Sequence, residues 1–198
     1  MKVVILASGT GTLLQAVIDS ADETIDIVAV GSDRPCQALE RAEAAGVPTF
    51  CVEYMPKVTD REKWNRTLSE KIAEFDPDLV LSAGFMRIIG PTVVERFAHR
   101  IINTHPALLP SFPGAHAVAD ALNYGVRVTG STVHVVDSGV DTGPIVAQRA
   151  VPVEPNDTVE TLHERIKTVE RALLVEVLRD IAQHGLTIDG RKAWIEHP

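Results

Sequence analysis

The sequence has few cysteines and no hydrophobic segment of membrane-spanning length. Cys36 and Cys51 have neither metal-ligand spacing nor the spacing of a disulfide framework, and we interpret both as small apolar residues. Met1 is followed by KVVILAS, which has no basic leader, no signal-length apolar region and no cleavage site. This segment is also too short to cross a bilayer. We therefore expect a cytoplasmic protein without a membrane partner.

Basic charge is scarce relative to acidic charge. The chain has 19 lysine and arginine residues against 27 aspartate and glutamate residues, a formal net charge of -8. Because phosphate neutralisation by basic residues supplies much of nucleic-acid affinity, this balance favours a small-molecule partner and disfavours nucleic acid. With 198 residues and 45% hydrophobic content, the chain is long enough for one domain, residues 1–198, with a full core.

Short apolar runs alternate with segments of helical periodicity in the first half of the chain. They predict strands at residues 3–7, 25–30, 49–52, 79–83 and 101–103, and helices at residues 13–20, 35–45, 60–75 and 92–97. Thr59 and Glu62 form a capping-box signal before the third helix. The alternation is typical of a Rossmann-like α/β fold, in which helices flank a mostly parallel sheet.

The pattern changes after residue 114. A helix at residues 115–123 and adjacent strands at residues 130–136 and 144–153 predict a smaller mixed or antiparallel C-terminal part. A long helix is predicted at residues 158–184, with Asp157 and Glu160 suited to its start and Gly185 to its end. Asp189-Gly190 predicts a two-residue hairpin turn. The long helix has one core-facing apolar stripe, formed by Val159, Leu162, Ile166, Val169 and Leu173.

A glycine-rich loop, ASGTGTLLQ at residues 7–15, joins the first strand to the first helix. Gly9 and Gly11 allow the backbone to approach an anion closely, and the helix N-terminus adds unpaired N–H groups and the positive end of a dipole. The loop suits a phosphate, although a plain tight turn is the alternative. It is not a dinucleotide fingerprint, because Leu14 stands where the third glycine is required.

Asn103 and His105 lie in IINTHPALLPSFPG, at the end of the fifth predicted strand. Open α/β sheets bind ligands at the carboxyl ends of their strands. Asn103 offers a neutral donor and His105 can donate or carry a proton, so the pair could stabilise an oxyanion and move a proton. A capping or packing role for His105 is the alternative, as is a loop-shaping role for the prolines.

Two other groups of polar residues are open to two interpretations each. Asp137 and Asp141 in VVDSGVDTGP either bond to their own backbone in a hairpin connection or place a carboxylate beside His105, where it would favour the imidazolium form. Lys167 and Glu170 share one face of the long helix, and an exposed ion pair is the simplest interpretation. We predict no catalytic metal, because the other histidines lack metal-ligand spacing. These histidines are His99, His116, His134, His163, His184 and His197.

Three segments together resemble the 10-formyltetrahydrofolate-dependent formyltransferases. They are NTHPALLPSFPG, AGFMRII at residues 83–89 and DSGVDTGP, and the similarity extends from residue 1 to about residue 185. The resemblance implies the formyltransferase fold and transfer of a formyl group from 10-formyltetrahydrofolate, the co-substrate, to the primary amine of glycinamide ribonucleotide in purine synthesis. It also suggests a cis bond between Leu109 and Pro110. Monomer and homodimer both stay open.

The resemblance also implies roles for single residues. The residues that match the catalytic trio are Asn103, His105 and Asp141. The ribonucleotide would be bound by a phosphate loop and two helix residues, namely Gly11, Thr12, Leu13, Lys167 and Glu170. The folate would be bound by Arg61, Met86, Arg87, Ile88, Ile89, Asn103, Val136, Val140 and Asp141. The family commonly has asparagine where this chain has Leu13. This leaves the backbone N–H groups of the loop, so phosphate binding would depend more on the helix dipole and on Lys167.

Other functions stay open at this stage. Methionyl-tRNA formyltransferase shares the Asn-x-His and Asp-x-Gly motifs but has an extra tRNA-binding domain, and this acidic chain disfavours tRNA. A formyltetrahydrofolate hydrolase normally has a regulatory domain ahead of the catalytic one, for which we expect no room before Met1. A non-catalytic nucleotide-phosphate-binding module would use the glycine-rich loop but would give the trio no reason to converge.

Overall fold

The computed structural model describes residues 1 to 196 and divides into two compact units, which meet in sequence after Ile102. His197 lies outside the described residues. The prediction of a single domain over residues 1–198 stays a prediction. Within residues 1 to 196, no helix is both long enough and apolar enough to cross a membrane.

The first unit is an α/β arrangement with parallel strands. Its elements are β1 (Lys2–Leu6), α1 (Thr12–Ser20), β2 (Asp26–Ser32), α2 (Gln37–Ala44), β3 (Thr49–Cys51), α3 (Arg61–Ala73), β4 (Leu79–Ser82) and α4 (Pro91–Arg96). The strand order is β3-β2-β1-β4, and every pairing in it is parallel. Strand β1 is buried at four consecutive positions from Val3, as expected for a strand that is covered on both faces.

The second unit contains the antiparallel pairs. Its elements are β5 (Ile101–His105), which begins in the first unit, α5 (Ala117–Tyr124), β6 (Val128–Val135), β7 (Ile145–Pro152), α6 (Val159–His184), β8 (Thr187–Asp189) and β9 (Lys192–Trp194). The strand order is β5-β6-β7-β9-β8. Strands β6 and β7 are antiparallel, as are β8 and β9, whereas β7 and β9 are parallel. Leu162 and Ile166 of α6 pack in one core with Val118 and Val151.

The predicted fold class, mostly parallel α/β with antiparallel C-terminal strands, is confirmed. One correction matters for function. Strand β5 ends at His105 and not at Asn103, because Thr104 and His105 continue the extended strand. The Thr59–Glu62 capping box is wrong. Asp60 is the N-cap of α3 and accepts the Lys63 N–H at 2.8 Å, whereas the Thr59 hydroxyl accepts the N–H of Met55.

The long helix and the final hairpin are also confirmed, with small corrections. Thr158 is the N-cap of α6, and Gly185 ends the helix with a positive φ of 79°, which favours glycine. Val159 is exposed in the first turn, so it does not belong to the buried stripe. The hairpin turn is one residue later than predicted, because Asp189 pairs with Lys192.

Candidate active site

Strand β5 sets the directions of three polar side chains. Successive side chains of a strand point to opposite faces, so Asn103 and His105 share one face and Thr104 points to the other. His105 is buried and Asn103 is half-buried. Both residues therefore lie on a regular strand, whereas the sequence predicts the strand only as far as Asn103.

The loop between β6 and β7 folds back on β6 and places Asp141. The Val135 N–H donates to the Pro144 carbonyl at 2.8 Å, and a Cβ added at Gly143 would lie 1.8 Å from the Val135 carbonyl oxygen. Only glycine fits this approach. The Gly114 N–H donates to Oδ2 of Asp141 at 2.8 Å. The carboxylate is thereby fixed from two sides.

Asp141 lies beside His105. The distance from His105 Nδ1 to Asp141 Oδ2 is 3.4 Å, and His105 Nε2 donates to the Phe112 carbonyl at 2.8 Å. A carbonyl oxygen and a carboxylate only accept hydrogen bonds, so both ring nitrogens of His105 face acceptors.

His134 is a fourth polar residue of this group, which the sequence reasoning missed. It lies on β6, is buried, and its Nε2 is 3.2 Å from Asn103 Nδ2 and 3.6 Å from Asp141 Oδ1. Its Nδ1 donates to the Val135 carbonyl at 3.0 Å. A histidine inside an apolar strand such as STVHVV needs buried polar partners, and that requirement could have identified it.

The two aspartates of the β6–β7 loop differ: Asp141 lies beside His105, whereas Asp137 bonds within its own loop. The hydrogen bond with His134 is the largest cause that lowers the pKa of Asp141 from 3.8 to about 2; the Gly114 N–H and the charge of His105 act in the same direction, and burial opposes them. Asp137 instead accepts from the Gly139 N–H at 3.0 Å and from the loop hydroxyl of residue 142 at 2.6 Å. Of the two, Asp141 is therefore the carboxylate that lies beside His105 and His134.

Side chains of β6 and β7 hold the proline-rich segment that follows β5. Thr132 Oγ1 donates to the Ala107 carbonyl at 2.6 Å and accepts the Leu109 N–H at 3.1 Å. Gln148 Nε2 donates to the Leu109 carbonyl at 2.8 Å. The Leu109–Pro110 bond is cis, as the resemblance suggests. Hydrogen bonds as well as prolines therefore fix the path of this segment.

The helix α6 carries the predicted ribonucleotide residues of the second unit. Lys167 pairs with Glu164 at 2.8 Å, so a Lys167–Glu170 ion pair is the wrong interpretation. Desolvation raises the pKa of Glu170 and outweighs the opposing influence of the Thr104 side chain, which lies on the face of β5 opposite Asn103 and His105.

In the first unit, helix α2 orients the glycine-rich loop. The Ala38 N–H donates to the Gly9 carbonyl at 3.0 Å, and Arg41 Nε donates to the Thr10 carbonyl at 2.7 Å. The C=O and N–H of a trans peptide point in opposite directions, so the N–H groups of Thr10 and Gly11 point away from α2. Gly11 has φ of 70° and a Cβ there would lie 2.8 Å from Ala38 Cα. The loop has the form of an anion-binding loop.

Two members of the predicted phosphate loop differ in exposure. Thr12, the first residue of α1, is exposed, whereas the Leu13 side chain is buried, with 8% exposed. A phosphate at this loop can therefore contact Leu13 only through its backbone N–H. The missing asparagine amide is replaced by an apolar side chain that packs inside the unit.

The predicted folate residues of the first unit lie around the segment after β4. Arg61 donates to the Ile88 carbonyl, and its guanidinium lies 4.9 Å from the ring centroid of Tyr54. Met86 and Ile88 are exposed apolar side chains, whereas Ile89 is buried and acts as a packing residue. In the second unit, Val140 is exposed and Val136 is half-buried. In residues 1 to 196, no group of three histidine, cysteine or carboxylate side chains could hold a metal ion.

The chain belongs to the formyl transferase family, whose model matches residues 1–178. It is similar to the phosphoribosylglycinamide formyltransferase of Mycobacterium tuberculosis, with 55% identity over 194 residues that cover 97% of this chain and 90% of that protein. The crystal structure of glycinamide ribonucleotide transformylase 1 from Symbiobacterium toebii matches with a TM-score of 0.94 and 40% identity, covering 100% and 94% of the two chains. The phosphoribosylglycinamide formyltransferase of Anaplasma phagocytophilum matches with a TM-score of 0.91 and 36% identity, covering 100% and 95%.

Proposed function

We propose that this chain transfers the formyl group from N10 of 10-formyltetrahydrofolate to the primary amine of glycinamide ribonucleotide. The observation that carries the proposal is the ionised Asp141 carboxylate, 3.4 Å from a His105 ring that shares its face of β5 with Asn103. The similarity to formyltransferases of purine synthesis supports the same reaction.

The reaction needs no covalent enzyme intermediate, because an unprotonated primary amine is already a good nucleophile. The amine nitrogen attacks the formyl carbon, the bond from that carbon to N10 breaks, and one proton moves from the attacking nitrogen to N10. The tetrahedral intermediate carries an oxyanion, which requires hydrogen-bond donors. Each such donor contributes roughly 3 kcal/mol to the lowering of the barrier in acyl transfer.

Asn103 and protonated His105 are the proposed donors. Asn103 Nδ2 lies 3.2 Å from His134 Nε2 and has two hydrogens, so at least one of them is available for the oxyanion. His105 Nε2 donates to the Phe112 carbonyl, so the substrate oxygen must take the place of that carbonyl during turnover. His134 thus acts as a positioning residue for the Asn103 amide.

Asp141 is proposed to keep His105 protonated. A carboxylate with a pKa of about 2 is a weak base at neutral pH, so its main contribution is its charge beside Nδ1. The proton passes from the amine to N10 through a water that Asp141 orients. Holding both substrates in register contributes about 7 to 11 kcal/mol in favourable cases.

Substrate binding is proposed to use three kinds of group. The phosphate of the ribonucleotide binds the backbone N–H groups of Gly11, Thr12 and Leu13, with Lys167 and Glu170 near the phosphate and ribose. The folate binds Asn103, Asp141, guanidinium groups and apolar side chains that are exposed or half-buried, with Ile89 packing beneath its neighbours. The guanidinium and apolar residues are Arg61, Met86, Arg87, Ile88, Val136 and Val140.

The experiment that tests the function follows the consumption of 10-formyltetrahydrofolate spectrophotometrically with three acceptors. Glycinamide ribonucleotide should consume it, whereas water and charged initiator tRNA should not. His105→Ala should abolish most of the rate with glycinamide ribonucleotide. Consumption with water alone would identify a hydrolase, consumption only with tRNA the tRNA enzyme, and no consumption at all a non-catalytic module.

Location and assembly belong to the same proposal. We expect a cytoplasmic protein that binds no nucleic acid. Fractionation, a filter-binding assay with tRNA and sedimentation equilibrium would test the location, the absence of nucleic-acid binding, and the choice between monomer and homodimer.

A further inference from the structure

Asp33 is a buried carboxylate that the proposed reaction does not use. Its side chain is 0% exposed, and its Oδ2 lies 2.9 Å from Arg34 Nη2 and 2.7 Å from Arg87 Nε. Aspartate is almost never fully buried unless it is paired, because an unpaired buried charge is strongly unfavourable. The position of this aspartate therefore calls for a structural or functional reason.

The topology of the first unit explains how Asp33 reaches two other loops. Strands β2, β1 and β4 are parallel neighbours, so their carboxyl ends lie at one edge of the sheet. Ser8 follows β1, Asp33 follows β2, and the segment with Met86 and Arg87 follows β4. Asp33 is thus beside the loop that the resemblance assigns to folate.

Ser8 connects Asp33 to the backbone of Met86. The Ser8 hydroxyl accepts the Met86 N–H at 2.9 Å and keeps one hydrogen, and Ser8 is among the groups that lower the pKa of Asp33. The Ser8 N–H donates to the Gly84 carbonyl at 3.2 Å. One carboxylate therefore holds two consecutive residues, Met86 through Ser8 and Arg87 directly.

The contact with Asp33 leaves the outer edge of Arg87 available. Arg87 uses Nε for Asp33, and its guanidinium lies 4.9 Å from the Tyr54 ring centroid. In the part of the chain that the structure describes, Nη1 and Nη2 of Arg87 have no hydrogen-bond partner, and the side chain is 20% exposed. A fixed guanidinium with free outer donors fits a ligand carboxylate, and folate carries its negative charge on glutamyl carboxylates.

We propose that Asp33 is a positioning residue for 10-formyltetrahydrofolate, because it holds the Met86 backbone and the Arg87 guanidinium in the orientation that binds this substrate. The inference rests on the proposed function, which assigns Met86 and Arg87 to the folate. Burial is the largest influence on the pKa of Asp33 and raises it, but hydrogen bonds from Arg34, Ser8 and Arg87 together lower it below 3.8. The folded chain therefore favours the charged carboxylate that both arginines need.

The test compares Asp33→Asn with a matched control, Asp157→Asn. Asp157 is also paired with an arginine, Arg165, and its side chain is 4% exposed, but it lies at the start of α6 in the second unit. Asp33→Asn should raise the KM for 10-formyltetrahydrofolate about tenfold and leave kcat within about threefold. The substitution removes the charge that orients Arg87 for binding the folate, and it changes no group that takes part in formyl transfer. Asp157→Asn should lower the melting temperature and leave both KM values unchanged.

A double-mutant cycle separates positioning from general destabilisation. In an Arg87→Gln background, Asp33→Asn should change the KM for the folate by less than about twofold, because the guanidinium that Asp33 holds in place is already absent. An equal rise of KM in both backgrounds would overturn the proposal, as would an unchanged KM in folded Asp33→Asn. If Asp33→Asn does not fold, Ser8→Ala tests the Met86 branch: a raised KM for the folate supports the proposal and an unchanged one contradicts it.

Direct binding distinguishes failure of this inference from failure of the proposed function. Equilibrium binding of 10-formyltetrahydrofolate to wild type and Asp33→Asn needs no acceptor. A wild type that binds the folate and does not formylate glycinamide ribonucleotide would contradict the proposed function alone. Equal folate affinity of the two proteins would contradict the role of Asp33 alone.

Discussion

Asp141→Asn is the substitution with the most sharply defined consequences. Asparagine keeps the size and the acceptor oxygen of Asp141 but removes the charge that lies 3.4 Å from His105 Nδ1 and 3.6 Å from His134 Nε2. Both contacts involve rings that can carry a positive charge. The substitution should therefore act on stability and on turnover through the same lost charge.

The effect on stability follows from the lowered pKa of Asp141. A fall from 3.8 to about 2 corresponds to about 2 kcal/mol of unfolding free energy at roughly 1.4 kcal/mol per unit. Because the folded pKa is lowered, this contribution is fully present above pH 3.8 and is lost as the pH falls through about 2. Denaturant unfolding should show wild type more stable than Asp141→Asn by about 2 kcal/mol at pH 7, with the difference shrinking below pH 4.

The effect on turnover should be larger than the effect on binding. In the proposed mechanism, the substitution removes the charge that keeps His105 protonated as a donor to the oxyanion. Loss of one such donor in acyl transfer lowers kcat by about 10² to 10³. We expect a fall of that size in kcat, with little change in either KM. Asp137→Asn is the matched control, because Asp137 lies in the same loop and, among residues 1 to 196, its side chain bonds only within that loop. A kcat for Asp141→Asn within about threefold of wild type, or an equal fall for Asp137→Asn, would refute the reasoning.

Three further substitutions test other parts of the site. Glu170→Gln should raise the KM for glycinamide ribonucleotide. Because burial raises the pKa of Glu170, the charged carboxylate destabilises the folded chain at pH 7, and the substitution should increase stability there. In acid, where wild-type Glu170 is also neutral, stability should be unchanged, and denaturant unfolding at the two pH values checks the sign. Leu13→Ala should lower the unfolding free energy by about 2 to 4 kcal/mol and leave the KM for the ribonucleotide unchanged, since only the backbone of Leu13 is available to a phosphate; a tenfold rise in that KM would contradict backbone binding. Gly143→Ala should lower kcat at least as much as Asp141→Asn, because its Cβ would meet the Val135 carbonyl and displace the loop; a fully active Gly143→Ala enzyme would show that the loop position is not required.

Hydrophobic periodicity predicted the fold because it reports which residues must be buried. The apolar run of β1 and the alternation of helices and strands follow directly from that requirement. The end of β5 could not be predicted in this way, because Asn103 and His105 are polar residues in an extended strand. Their side-chain contacts with His134 and Asp141 join residues 31 and more positions apart in sequence. Strand membership there is decided by tertiary contacts, which periodicity does not contain.

The candidate site shows the same division between local and distant information. Motif resemblance pointed to Asn103, His105 and Asp141, but not to His134, whose partners are on β5 and in a loop. Asp33 was missed for the same reason, since its connection to Met86 passes through Ser8, which is 78 positions from Met86. Polar networks of this kind depend on which strands are neighbours, and strand order cannot be read from local patterns.

The central claim is that Asn103 and His105 donate to the oxygen that becomes negative during formyl transfer. The most direct measurement is a crystal structure with an analogue of the tetrahedral intermediate that carries a hydroxyl in place of the oxyanion. We predict that this oxygen lies about 2.7 to 3.1 Å from Asn103 Nδ2 and from a ring nitrogen of His105, with the Phe112 carbonyl displaced from Nε2. An analogue bound with that oxygen away from both side chains, and with the His105–Phe112 hydrogen bond intact, would contradict it.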